Sequence, residues 1–139
     1  MMVYSNNFSV KTKGYNDIVN ITDSVMNILK TSLISHGNVL VFCPGSTCGI
    51  TTTEFEPGAV QDLKTFYEKL IPMDDEYKHN LTWGDGNGFS HLRAAIMKSF
   101  FSFPVIKGAT ILGTWQQIIL VDFDNRSRSR NVVVQIVGE

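Results

Sequence analysis

The sequence lacks a strongly basic segment, a long apolar run and an apolar leader. Its formal net charge is −1, and its longest basic series is Arg126, Arg128 and Arg130, which is weaker than the surface that binds a nucleic-acid duplex. No apolar stretch approaches the roughly 20 residues that span a bilayer. The N-terminus, MMVYSNNFSV, lacks the apolar core of a signal peptide. We therefore expect a soluble, cytoplasmic protein that binds neither nucleic acid nor membrane.

Cysteine is also scarce. Cys43 and Cys48 are five residues apart and do not form a CxxC motif. On adjacent strands their side chains can face each other, but in the cytoplasm both are expected to stay thiols.

What the sequence does contain is enough apolar surface for one core. Hydrophobic residues make up 43% of the 139 residues and charged residues 18%, a composition too apolar for disorder. The chain has no repeats or linker-like segments. Residues 1–139 are therefore expected to form a single domain.

Periodicity in the first half predicts strands at residues 3–12, 38–43 and 50–55, with a short extended piece at 16–21. Thr22 or Asp23 is expected to cap a helix that ends with Gly37 as its left-handed terminal residue. Pro57 opens a second helix, which Pro72 ends. The residues expected to face inward are Val25, Ile28, Leu29 and Leu33 in the first helix, and Val60, Leu63, Phe66, Tyr67 and Leu70 in the second.

The second half begins with a polar, glycine-rich segment at residues 73–89, which is predicted to be a functional loop. Ser90 is expected to cap a short helix with Leu92, Ala95 and Ile96 facing inward. Strands follow at 103–106, 110–112, 115–123 and 131–137, the last two joined by a hairpin loop at 124–129. The pattern predicts an α+β fold with mixed or antiparallel sheets and about three helices.

Two of these strands are apolar on both faces: residues 118–121, with sequence IILV, and residues 132–134, with sequence VVV. An antiparallel strand of this kind must be covered on both sides. With few helices available, the pattern predicts a sandwich or an oligomer interface.

The glycine-rich segment carries the main candidates for chemistry. His79 and His91 flank Asp85 and Asn87, a set that can bind a divalent metal such as Mg²⁺ or Zn²⁺, bind phosphate, or act as acid and base. The alternative is that Asp85 and Asn87 cap turns while the histidines pack the loop.

Other polar residues have weaker signals. Glu54 either favours the following helix N-terminus or points into a cleft. The Ser46-Thr47 turn resembles an anion-accepting turn with exposed N–H groups. Cys48 is a candidate nucleophile, although a buried thiol is the more common role for such a residue. Trp115 and Gln116 are expected to be a core residue and a loop-bonding amide.

Taken together, these segments resemble the YjbQ family over essentially the whole chain. The matching strings are Ile21-Thr22-Asp23, Thr47-Cys48-Gly49-Ile50-Thr51 running into Glu54, the helix that carries Asp62, Tyr77-Lys78-His79, Asp85-Gly86-Asn87 leading to His91-Leu92, Leu112-Gly113-Thr114-Trp115-Gln116 and Arg130-Asn131-Val132.

The resemblance implies a sandwich-like α+β fold, a homotrimer, and an activity like that of a secondary thiamine-phosphate synthase. Such an enzyme joins a hydroxymethylpyrimidine pyrophosphate to a thiazole phosphate and releases pyrophosphate. In that role His79, His91, Asp85 and Glu54 are the expected catalytic residues, and His79 and His91 are also the expected ligands of a divalent metal. Ser46, Thr47, Asn87, Trp115 and Gln116 are expected to contact the phosphorylated small molecule.

The chain departs from the family pattern at Gly45, where a histidine is usual. Two alternatives to the synthase therefore stay open. One is a non-catalytic trimeric protein that binds a phosphorylated small molecule. The other is a metal-dependent hydrolase that uses the same two histidines.

Overall fold

A computed structural model describes all 139 residues, which form eight strands and four helices. The elements are β1 (Met2–Thr12), β2 (Asp17–Asn20), α1 (Thr22–Ser32), β3 (Gly37–Phe42), β4 (Cys48–Glu54), α2 (Pro57–Leu70), α3 (Lys78–Trp83), α4 (Gly88–Met97), β5 (Phe100–Ile106), β6 (Ala109–Thr110), β7 (Gln116–Asp122) and β8 (Arg128–Gly138). The predicted α+β class is confirmed, with four helices rather than three. None of the helices is long and apolar enough to cross a membrane.

The strands form two antiparallel sheets. The larger has the order β1-β8-β3-β5-β6 and the smaller has the order β2-β7-β4. The main core draws on both sheets and on α1, which contributes Val25, Ile28 and Leu29. The larger sheet adds Val39, Val41, Val132, Val134 and Ile136, and the smaller sheet adds Ile50, Ile118 and Leu120.

A second core covers the other face of the smaller sheet. Ile119 and Val121 of β7 pack there with Tyr67 of α2, Ala94 of α4 and Phe123. Both faces of β7 are therefore buried within one chain, as its run of apolar residues predicts. Because helices of the same chain supply the cover, this pattern does not itself require an oligomer, and the trimer stays a prediction.

Both ends of α1 differ from the predicted caps. At the start of the helix, Ile21 makes no side-chain cap. At its other end the C-cap residue is Leu33, which follows Ser32, has φ 60° and is 85% exposed. Gly37 has a different role, because a Cβ there would lie 2.2 Å from the Val137 carbonyl oxygen. This glycine allows β3 and β8 to approach closely where Gly37 pairs with Gly138.

Residues 73–89 are not one loop, because α3 occupies Lys78–Trp83 and α4 begins at Gly88. Ser90 lies inside α4, where its hydroxyl donates to the Asn87 carbonyl. The buried face of α4 is formed by Phe89, Ser90, Arg93 and Ala94. Several residues expected to face inward are instead exposed: Phe66, Leu70, Leu92, Ala95 and Ile96.

The predicted hairpin between the last two strands is wrong. β7 belongs to the smaller sheet and β8 to the larger, so the connection between them passes from one sheet to the other. The misleading feature is the short polar link, which a hairpin and a sheet-to-sheet connection share.

Candidate functional site

Two connections between the sheets meet at one end of the molecule. Residues 43–47 join β3 to β4, and residues 123–127 join β7 to β8. They lie side by side because Cys48 pairs with Asp122, and the Phe123 N–H donates to the Thr47 carbonyl at 2.9 Å. A cleft of about 400 Å³ opens here, lined by Gly45, Ser46, Thr47, His79, Trp83, Asp85, Asn87, His91, Arg128 and Arg130.

The two imidazoles lie together in this cleft. Their ring centroids are 4.3 Å apart, with the planes tilted by 53°. His79 comes from α3 and His91 from α4, and the turn between these helices carries Asp85. The His79 Nε2 atom is 3.6 Å from the Asp85 Oδ1 atom, so the pair is electrostatic rather than hydrogen-bonded.

Two side-chain atoms in the cleft are buried without a hydrogen-bond partner: His79 Nε2 and Asn87 Oδ1. The other end of the Asn87 amide is fixed, because Nδ2 donates to Asp124 Oδ1 at 3.3 Å. A buried polar atom without a partner costs about 1–3 kcal/mol. Both atoms are therefore available to bind a polar group that enters the cleft.

Asp124 anchors the back wall of the cleft. Its carboxylate accepts hydrogen bonds from Arg128 Nε, Thr47 Oγ1, Asn87 Nδ2 and the Asn125 N–H. Burial alone would raise the pKa of this carboxyl group, but the Arg128 guanidinium and these donors hold its pKa below the ordinary value. Asp124 is therefore a charged, fixed scaffold for three residues of the lining.

A second ion pair lies beside it. Arg130 Nε donates to Asp122 Oδ2 at 2.8 Å, and its Nη2 donates to Asp122 Oδ1 at 2.7 Å. The Asp122 side chain is fully buried and that of Arg130 is 10% exposed. Arg130 Nη2 also donates to Thr47 Oγ1 at 2.8 Å. The Thr47 hydroxyl is therefore already hydrogen-bonded to Arg130 and Asp124, whereas the exposed Ser46 side chain is free to contact a ligand.

His91 has a lower pKa than an exposed histidine. Burial lowers the pKa of its imidazole, and the neighbouring His79 lowers it further. Asp85 and Asp124 oppose this effect without reversing it. At neutral pH the His91 imidazole is therefore neutral and can accept a proton.

Gly45 is exposed in the cleft and has φ +135°, a conformation that L residues rarely adopt. A Cβ here would lie 3.3 Å from Arg130 Nη1. The histidine that the YjbQ resemblance implies at this position would therefore be strained on this backbone.

Glu54, Trp115 and Gln116 do not reach the histidine pair. Glu54 lies at the opposite end of β4 from Cys48 and pairs with Gln116, a separation of roughly 20 Å along the strand. Glu54 and Trp115 line a different cleft, of about 290 Å³, and Gln116 bonds Thr52. Trp115 is 71% exposed, so its expected core position is also wrong.

The metal prediction fits the structure poorly. No three His, Cys, Asp and Glu side chains are grouped so as to hold a metal ion. A catalytic zinc site has three protein ligands, such as two histidines and one carboxylate, and His79, His91 and Asp85 do not form such a group here.

Sequence reasoning missed the charged back wall: Asp122, Asp124, Arg128 and Arg130. A signal was present, because two aspartates directly follow the buried strand and two arginines follow them at alternate positions. In the sequence the arginines form only a short basic run, and an ion pair between the ends of two different sheets has no periodicity that would predict it.

Comparisons with known proteins agree with the fold. The profile of the family described as "UPF0047 protein YjbQ-like" matches residues 6–139. A UPF0047 protein from Methanothermobacter thermautotrophicus is 34% identical over 139 residues, covering 100% of this chain and 95% of the relative. The UPF0047 protein YugU of Bacillus subtilis is 28% identical over 130 residues, covering 93% of this chain and 96% of that protein.

Solved structures match equally well. The crystal structure of a protein of unknown function from Sulfolobus solfataricus superposes with a TM-score of 0.94 and 36% identity, covering 99% of both chains. A family protein from Clostridium acetobutylicum gives a TM-score of 0.87 and 34% identity, covering 95% of this chain and 99% of that one. With the profile match and these identities, the chain belongs to the YjbQ/UPF0047 family.

Proposed function

We propose that the cleft binds a phosphorylated small molecule and transfers a group on it, with the thiamine-phosphate-synthase reaction as the specific candidate. The observation that carries the proposal is the pair of unpartnered buried atoms, His79 Nε2 and Asn87 Oδ1, in one cleft. A ligand removes the cost of leaving these atoms unpaired when it presents a donor, such as a protonated phosphate oxygen or an amino group, to Asn87 Oδ1 and a hydrogen-bond partner to His79 Nε2.

The charge of the lining favours an anionic ligand. Arg128 and Arg130 face the cleft, each held in place by a buried aspartate. Guanidinium groups bind phosphate oxygens in a fixed geometry. Because two carboxylates already balance these arginines, the site attracts a phosphate by directed hydrogen bonds more than by net charge.

The roles follow from the positions of the side chains. Arg128, Arg130 and Ser46 hold the pyrophosphate of the pyrimidine substrate and stabilise the charge that develops as it leaves. His79, close to Asp85, donates a proton to the departing oxygen. The thiazole nitrogen attacks the methylene carbon of the pyrimidine as the bond from that carbon to the pyrophosphate oxygen breaks. His91, neutral at pH 7, takes a proton from the pyrimidine amino group and returns it once the new C–N bond has formed. No step requires Glu54 or Trp115.

The test is an assay with purified protein free of host enzymes. Thiamine phosphate formation from hydroxymethylpyrimidine pyrophosphate and thiazole phosphate is followed by chromatography, and pyrophosphate binding is followed by calorimetry. We expect His79→Asn to lower kcat by about 10²-fold or more, the range for a lost acid–base group. Matched variants in the distant cleft, Glu54→Gln and Trp115→Ala, should keep both activity and binding. Equal losses from the two sets of variants would contradict the site.

A second function, non-catalytic binding of the same class of ligand, is favoured by Gly45 and by the distance of Glu54. These features leave the cleft with fewer acid–base groups than the sequence predicts. Pyrophosphate binding that is weakened by Asn87→Ala, without turnover by the wild-type protein, would decide for this function.

Metal-dependent hydrolysis stays a separate prediction from sequence. Metal analysis of protein purified without chelators tests it directly. Absence of bound metal, together with no hydrolysis of phosphate esters on adding Zn²⁺ or Mg²⁺, would remove it.

A further inference from the structure

The two cysteines meet at the junction of the two sheets. Cys43 directly follows β3 of the larger sheet, and Cys48 begins β4 of the smaller sheet. Their Sγ atoms are 3.0 Å apart, and both residues are buried, with relative exposures of 0% and 1%. A disulfide requires a separation of about 2.05 Å, so the sulfurs need to approach by only about 1 Å.

One of the sulfurs lies just beneath the cleft. A Cβ added to Gly45 would be 3.8 Å from Cys48 Sγ, and Gly45 itself is exposed and lines the cleft. Because this residue has no side chain, a water-sized oxidant that enters the cleft comes close to the Cys48 sulfur. Cys43 Sγ does not lie within 4 Å of the same position.

The surroundings also distinguish the two thiols. Contact with the Cys43 S–H lowers the pKa of Cys48, and the Arg130 guanidinium lowers it further against the opposing effect of burial. The same contact and burial raise the pKa of Cys43. The Arg130 guanidinium and the adjacent cleft therefore favour Cys48 over Cys43 as the thiolate, which is the nucleophile in oxidation.

We propose that Cys43 and Cys48 are a modification site, a dithiol that hydrogen peroxide converts reversibly into an intrachain disulfide. The Cys48 thiolate attacks a peroxide oxygen, the O–O bond breaks, hydroxide leaves, and Cys48 becomes a sulfenic acid. The Cys43 sulfur then attacks the Cys48 sulfur, and the sulfenic oxygen leaves as water with the Cys43 proton. Two thiols lose two electrons and two protons, and one peroxide is reduced to two waters.

The disulfide would restrain residues 44–47, which line one side of the cleft. Residues 44–47 lie between the two cysteines, and this segment supplies Gly45, Ser46 and Thr47 to the lining. Closing a ring around it joins the two sheets at this end and limits the movement of the loop. Oxidation therefore stiffens one side of the cleft whatever ligand the cleft binds.

The test uses the reduced, desalted full-length protein treated with hydrogen peroxide. Peptide mapping without reductant should find a link between Cys43 and Cys48 in single chains, a mass lower by about 2 Da, and full recovery with dithiothreitol. Amide hydrogen exchange within 44–47 should slow on oxidation, and Tm should rise on the order of 5 °C.

Two single variants separate the roles of the thiols. Cys43→Ser should accumulate a sulfenic acid at Cys48 that dimedone traps, whereas Cys48→Ser should react at least about tenfold more slowly at Cys43. Equal rates in these folded variants would overturn the assignment. The modification site itself would be overturned if peroxide formed disulfides only between chains, or if the cysteines reacted with peroxide only after the protein was unfolded in urea.

Discussion

At the scale of single residues, the candidate site is defined by a few buried charges and two histidines rather than by a sequence motif. Asp124 and Asp122 hold Arg128 and Arg130 in place, and the histidines come from two helices that meet over the cleft. Each of these contacts assigns a physical role to one side chain, so each can be tested by changing it.

The lowered pKa of His91 gives a pH dependence of stability. The unfolded chain takes up the His91 proton near pH 6.5, whereas the folded protein takes it up only at lower pH. This contribution to the free energy of unfolding is fully present above about pH 6.5, the pKa of the unfolded chain, and it is lost as the pH falls through the lower pKa of the folded protein. Urea unfolding between pH 8 and pH 5 should show the loss.

His91→Asn should remove this part of the pH dependence. The matched control is His36→Asn, which changes an exposed histidine away from the cleft and should leave the dependence in place. A profile that flattens equally in both variants would show that His91 is not its source.

The buried Asp122–Arg130 pair predicts a large loss of stability when one partner is neutralised. Asp122→Asn leaves the buried Arg130 guanidinium with only Asp124 as a counter-charge, 3.9 Å from its Nη2 atom. This should lower the free energy of unfolding by about 3 kcal/mol, the lower end of the range for a broken buried pair. Asp62→Asn, at an exposed position on α2, should change it by less than about 0.5 kcal/mol. Similar values for the two variants in denaturant titrations would contradict the role of the pair.

At the scale of elements, β7 is the strand on which both cores depend. Ile118 packs in the core between the sheets, and Ile119 packs in the core beneath the helices. The usual alternation of a half-exposed strand is absent, so neighbouring positions should be equally sensitive to truncation. Ile118→Ala and Ile119→Ala should each lower the free energy of unfolding by about 2–5 kcal/mol.

Ile106→Ala in β5 is the control for these two variants, because this isoleucine is 47% exposed. Its cost should be well below that of either β7 variant. If Ile119→Ala leaves the free energy of unfolding unchanged in chemical denaturation, the second core does not contribute to global stability.

At the scale of the whole molecule, the predicted homotrimer is the main open question of assembly. The chain exposes many large apolar side chains, among them Phe42, Phe66, Leu70, Leu81, Trp83, Leu92, Ile96 and Phe100. Exposed apolar surface of this kind is typical of proteins that associate. Sedimentation at micromolar concentration should give three times the chain mass of 15.5 kDa, and a mass of one chain would contradict the trimer.

Strong local signals in the amino-acid sequence are enough to specify several elements. Pro57 and Pro72 delimit α2, the IILV run of β7 requires cover on both faces, and the family resemblance over the whole chain agrees with the profile match. These features depend on neighbours in the chain: fixed proline dihedrals, the two-residue period of a strand, and a string of matching residues.

Which polar residues share a cleft depends on the packing of the folded chain. Thr47 directly precedes β4 and Glu54 ends it, so these two residues lie at opposite ends of the strand although they are only seven positions apart. Asn87 and Asp124 are distant in sequence, yet their side chains are hydrogen-bonded. The connections that pass between the sheets fix these distances, and those depend on which strands pair. Strand pairing is a property of the packed whole, because its free energy comes from burying two cores at once.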